Sequence, residues 1–180
     1  MTPEEQSWVL ALAVVPGGRP PLSGPEFLEK FGATDGAKLG CDLLRDAVSR
    51  RDAVDTELSL IVCFRFGLAR DVIDLLIAAA FADWHQKHED IASALGKMGL
   101  PDGVDALMHL ATTVPEYLEF DDARALASKA IWALSTIPGH EARRALERLT
   151  SDPDERVARL ALKRLKMPPA SGAGGSDPLA

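Results

Sequence analysis

Aromatic residues make up only 6% of this 180-residue chain, with a single tyrosine, and there are just two cysteines. Few aromatics and few β-branched runs argue against a sheet, while abundant Ala and Leu favour helix throughout, so an all-α protein is expected. Cys41 and Cys63 are too few for the disulfide framework of a small secreted domain. They are expected as reduced, semi-buried core residues, which fits a cytoplasmic protein. A Gly-rich phosphate loop, a G-x-S-x-G nucleophile elbow and a Cys-x-x-Cys pair are all missing, and with them the commonest motif-borne chemistries. Positive charge is in deficit, 20 Lys and Arg against 27 Asp and Glu, for a net charge of −7. Nonspecific attraction to nucleic acid is therefore not expected, and a basic partner is favoured. The apolar run from Trp8 to Val15 is too short to span a bilayer, and Glu4 and Glu5 precede it where a secretion signal would be cationic. No membrane association is expected.

Hydrophobic residues form 47% of the chain and charged residues 26%, enough for one well-buried core or a short repeat array. Thr2 as N-cap, Pro3 at the first helical position and Glu5 closing a capping box predict a short N-terminal helix. Pro16 to Gly24 is dense in Pro and Gly and reads as a loop, so residues 1–24 form an N-terminal helix and loop. Residues 167–180 lack large apolar side chains and are expected to be a disordered tail.

Residues 25–166 carry a repeat. Gly40, Leu43, Leu44 and Ala47 fall into register with Val72, Leu75, Leu76 and Ala79, and these with Val104, Leu107, Met108 and Ala111, each step being 32 residues. Ala142, Ala145, Leu146 and Leu149 continue the i, i+3, i+4, i+7 pattern after a step six residues longer. Expected first helices of the pairs are 25–31, 56–66, 89–98 and 122–137, with a final helix over 153–166. Paired helices at this period bury their apolar faces by stacking, so the pattern predicts an α-solenoid of about four antiparallel helix pairs with terminal capping helices.

The stretches "HEDIASALGKMGLPDGVDALMHL", "DARALASKAIWALSTIPGHEARRALERL" and "DPDERVARLALKRL" resemble HEAT repeats, of the short kind found in phycobilisome-lyase-like HEAT proteins. More narrowly, "ADWHQKHEDI" and "VPEYLEFDDARALASKAIWAL" are similar to small bacterial HEAT-like proteins that act as immunity partners of polymorphic toxins. What this implies is a stoichiometric binder of a toxin domain, with no catalytic residue and no cofactor.

Three candidate sites stand out. The first is Trp84, His85 and His88 with Glu89 and Asp90. Two His three apart followed by Glu offer ligand types to a metal, and His88-Glu89 and His140-Glu141 are similar to the His-Glu dipeptides of HEAT-repeat deoxyhypusine hydroxylases, which hold a di-iron centre. The two pairs are not repeat-equivalent, however, and the His-Glu-x-x-His order is absent, so no metal is expected. Glu89 and Asp90 also suit the first turn of a helix, and an aromatic such as Trp84 can wedge between repeats. Core or capping roles and partner contact both remain open for this cluster. The second site is the lengthened stretch 114–123, with Tyr117, Glu119, Asp121 and Asp122 beside Glu116 and Phe120. Aromatic anchors amid acid suit a cationic protein surface, while Phe120 or Tyr117 could staple the loop to the core and Asp121 or Asp122 could cap a helix. The third is Trp132, off the stripe of Ala123, Ala127, Ala130, Ile131 and Leu134. It is expected to pack between repeats, and to become a contact residue if exposed. The basic residues of 143–164 alternate with acids and read as a solvated helical surface.

The expectation is thus a cytoplasmic, non-enzymatic immunity protein that masks a basic toxin domain through Trp84, His85, His88, Tyr117, Glu119, Asp121, Asp122 and Trp132. The alternatives are a metal-dependent or nucleic-acid-modifying HEAT-repeat enzyme and a general scaffold.

Overall fold

A computed structural model describes residues 1–13 and 21–167. Their regular structure is helical, with no strand among the described residues. The α-helices are α1 Pro3–Ala11, α2 Gly24–Lys30, α3 Gly36–Arg50, α4 Ala53–Phe66, α5 Ile73–Ala80, α6 His88–Met98, α7 Val104–Thr112, α8 Ala125–Thr136, α9 His140–Leu149 and α10 Glu155–Lys166. None is long and apolar enough to cross a membrane. Most of the expected Pro/Gly loop and nearly all of the expected tail lie outside the described residues. Two compact units are distinguished, Met1–Ala94 and Leu95–Ala180, and α6 begins in the first and ends in the second.

In the first unit, side-chain caps start α1 to α4. Thr2 and Ser23 make full capping boxes with Glu5 and Glu26, Asp35 accepts from the backbone amides of Ala37 and Lys38, and Asp52 from that of Asp55. Val9, Leu12, Phe27, Leu58 and Val62 form a core, with Trp8, Phe31 and Phe66 packed against it. Phe27 lies 4.7 Å from Phe31 and 5.6 Å from Phe66 between ring centroids. The scarce aromatics are thus concentrated where α1, α2 and α4 meet. Asp55, 1% exposed, lies in the first turn of α4 and receives the Met1 amino group, the Arg50 guanidinium and, at 2.8 Å, Gln6 Nε2. Burial pushes its carboxyl upward, but these donors outweigh it and hold the group below the ordinary carboxylate value. Cys41 and Cys63 are free and buried, as expected. Burial raises the Cys63 thiol to about 12, which keeps it protonated and unreactive.

The second unit is built from the end of α6 and from α7 to α10. Gly67 after α4 and Gly99 after α6, one 32-residue step apart, both have positive φ, 105° and 62°. Each is followed by a 3-10 turn, Arg70–Val72 or Pro101–Gly103, that leads into the next helix. A positive-φ glycine followed by a 3-10 turn thus recurs at the 32-residue step. Leu107, Leu110, Ile131, Leu134 and Leu149 are fully or almost fully buried. Helices α6 and α8 approach closely, since a Cβ added at Gly96 would lie 2.7 Å from Ala133 Cβ and 3.1 Å from Ala133 Cα.

That approach yields a stability prediction. Gly96→Ala gains about 1 kcal/mol of helix propensity but forces two helix backbones apart, and overpacking of this kind costs about 1–3 kcal/mol. The variant is expected to unfold at lower denaturant concentration than the wild type, and Gly96→Ala combined with Ala133→Gly to recover part of the loss. A Gly96→Ala protein at least as stable as the wild type would show that the contact is not tight.

Candidate functional site

The Trp84 cluster, which belongs to the first unit, is directed inward. His85 is 2% and His88 5% exposed, so neither imidazole is presented to a partner, contrary to the expectation of contact residues. The physical reason lies at the end of α5 and the turn after it, where the backbone carbonyls of Ala79 and Ala82 take up the two rings. His85 Nε2 donates to the Ala79 carbonyl at 2.9 Å, while its Nδ1 accepts from the Lys87 amide at 3.1 Å. These two bonds fix the neutral tautomer. His88 Nε2 donates to the Ala82 carbonyl at 2.8 Å. Two His three apart thus reach two carbonyls three apart, and the rings lie 4.5 Å from each other. Trp84, half-buried, packs edge-on against His85 with centroids 4.8 Å apart. Both nitrogens of His85 and Nε2 of His88 are engaged by the backbone. Among the described residues no three His, Cys, Asp or Glu side chains converge as a metal site.

The stretch between α7 and α8, within the second unit, points outward. A 3-10 turn over Glu116–Leu118 opens it, and backbone bonds continue from Asp121 to the Leu118 carbonyl at 2.9 Å and from Arg124 to the Asp121 carbonyl at 3.1 Å. The Asp121 carboxylate accepts from the amides of Ala123 at 3.0 Å and Ala125 at 2.6 Å. It caps the entry to α8, one of the roles open to it in the sequence. Arg124 adopts the left-handed region at φ 57°, and its Nε lies 2.8 Å from Asp154 Oδ2 just before α10. A non-glycine residue in that conformation is costly, and the ion pair helps hold it there.

The loop so fixed presents Phe120 to solvent, 96% exposed. Of the two roles the sequence left open for Phe120, anchor for a partner or staple to the core, its exposure excludes the staple. The ring sits in a short turn held by its own backbone hydrogen bonds. Glu116, Glu119 and Asp122 are exposed around it, and Tyr117 and Leu118 are half-buried. Asp122 makes only a distant approach to Arg156, at 3.9 Å.

Trp132 also departs from expectation. Leu126, Ala127, Ala130, Ile131, Ala133 and Leu134 bury the inner face of α8, whereas Ala123 precedes the helix and is exposed. Trp132, at 47% exposure, lies on the outer face instead of between repeats. Of the eight residues singled out in the sequence, Tyr117, Glu119, Asp121, Asp122 and Trp132 share the second unit, and Trp84, His85 and His88 belong to the first. Phe120 was not among the eight. The signal available was its place inside the added residues, flanked by acids and outside any helical stripe.

No protein-family model matches this chain, and no curated protein or solved structure is significantly similar to it.

The buried imidazole sets a pH dependence. His85 titrates below its ordinary value because burial disfavours the charged ring, more than the Ala79 carbonyl favours it, and His88 adds to the depression. The unfolded chain therefore binds a proton first as pH falls. The stabilising contribution is complete above the unfolded value near 6.5 and is lost below it, at up to about 1.4 kcal/mol per pH unit, until the folded group also titrates. His85→Gln, which can still donate to Ala79, should show a flatter decline in melting temperature between pH 7 and pH 5 than the wild type. Parallel profiles would contradict the assignment.

Proposed function

We propose that this chain is a protein-binding module whose second unit engages a cationic protein surface through the 114–124 loop. The carrying observation is Phe120: a fully solvated aromatic ring on a loop already held in place by Asp121, Arg124 and Asp154. Single exposed apolar residues are common on protein surfaces. This one differs because its backbone is fixed before binding, so little ordering entropy opposes contact, and because carboxylates surround it. A large aromatic anchor inside a polar rim is the usual anatomy of a binding hot spot. Trp132 on the outer face of α8 is the second aromatic of that unit open to contact.

The acidic rim also selects the partner. An excess of negative charge attracts a basic surface over distance and repels nucleic acid. The resemblance to HEAT-like immunity proteins makes a toxin domain with a basic active-site cleft the leading partner class, and on that reading the helices stack as a HEAT-like solenoid. Inhibition by occlusion needs no catalytic residue and no cofactor. The cytoplasm, where such a toxin would act on its producer, is the matching location.

Co-expression with the product of the neighbouring reading frame tests this, scoring growth rescue and co-purification. The wild type is expected to rescue and to form a one-to-one complex. Phe120→Ala should weaken that complex by about 2 kcal/mol or more, and Glu119→Lys with Asp122→Lys should slow association, most strongly at low salt. Binding that is unchanged in both variants would remove the loop from the interface.

A further inference from the structure

The second unit carries another surface, at the opposite end of α7 from the loop. A groove of ≈ 800 Å³ opens between the start of α7 and the length of α9, within the size range of specific ligand sites. Asp102 and Asp105 line it from one side, and Arg144 and Arg148, one turn apart on α9, from the other. All four side chains are exposed. Among the described residues none of the four makes an ion pair, so the opposed charges of this groove are not paired with each other. The other two carboxylates of the lining have local roles. Glu147 is engaged by Arg143 at 3.1 Å, and Glu141 sits in the first turn of α9, where it complements the helix dipole.

We infer that the groove binds an extended segment of a protein partner in which basic and acidic residues alternate. Successive side chains of an extended chain point to opposite sides. Alternate residues therefore reach opposite walls, Lys or Arg toward Asp102 and Asp105, and Asp or Glu toward the guanidinium groups of Arg144 and Arg148, which suit carboxylate recognition. A segment of one sign would satisfy one wall and be repelled by the other. Single-stranded nucleic acid meets the same obstacle, because its phosphates would face two aspartates. The site is separate from the Phe120 loop, and its occupancy does not depend on that reading.

Three acetylated and amidated hexapeptides make the test: (Lys-Glu)₃, hexalysine and hexaglutamate, each titrated into the isotope-labelled full chain and followed by NMR. Hexapeptides are too short to form stable helices in water. The alternating peptide is expected to shift resonances of α7 and α9 and to bind about tenfold more tightly than either homopolymer, a difference of about 1.4 kcal/mol. Arg144→Glu with Arg148→Glu should transfer that preference to hexalysine, and Phe120→Ala should leave it unchanged. Equal or tighter binding of hexalysine, of hexaglutamate or of oligothymidylate by the wild type would overturn the proposal. So would the absence of saturable binding by any of the three peptides, or shifts that fall outside α7 and α9.

Discussion

No helix among the described residues exceeds the 15 of α3, and helices this short are marginal in water on their own. Each therefore depends on laying one apolar stripe against its neighbours. The repeat of Leu and Ala at helical spacing follows from this constraint, as does the use of small residues where backbones meet. Gly40 allows α3 to approach α4 so closely that a Cβ there would lie 3.0 Å from Cys63 Sγ. Gly96 does the same for α6 and α8 in the second unit. Close approach brings more atoms into dispersion contact than bulky residues at the crossing would allow. A core assembled this way needs few aromatics, and four of them, Trp8, Phe27, Phe31 and Phe66, gather in one cluster of the first unit.

Much of the helical layout was legible in the residues because its causes are local. Thr2, Pro3 and Glu5 specify the first helix by hydrogen bonds within one turn. Asp121 caps α8 for the same kind of reason. The 32-residue period was visible in side-chain register and reappears as the positive φ of Gly67 and Gly99. The division between units inside α6 left no trace in composition.

The site was less legible, since exposure is decided by tertiary contacts that no local pattern encodes. His85 and His88 were equally compatible with ligand, contact and capping roles. The carbonyls of Ala79, near the end of α5, and of Ala82, just beyond it, decided among these by offering acceptors at the right spacing. Trp132 erred the other way: it was expected between repeats, but α8 fills its inner face with Ala, Ile and Leu before Trp132 is reached. Phe120, open in the sequence to an anchor or a staple role, is held out by the loop's own hydrogen bonds.

The functional account rests on the loop being ordered before any partner arrives. Amide hydrogen exchange on the free protein tests this most directly. The amides of Leu118, Asp121, Arg124 and Ala125 each donate a hydrogen bond. They are expected to exchange far more slowly than unstructured chain, with protection approaching that of the α8 interior and falling together with it as denaturant is added. Exchange of these four amides at unprotected rates, with α8 still protected, would mean that the loop is mobile in the free protein and that Phe120 is not a preorganised anchor.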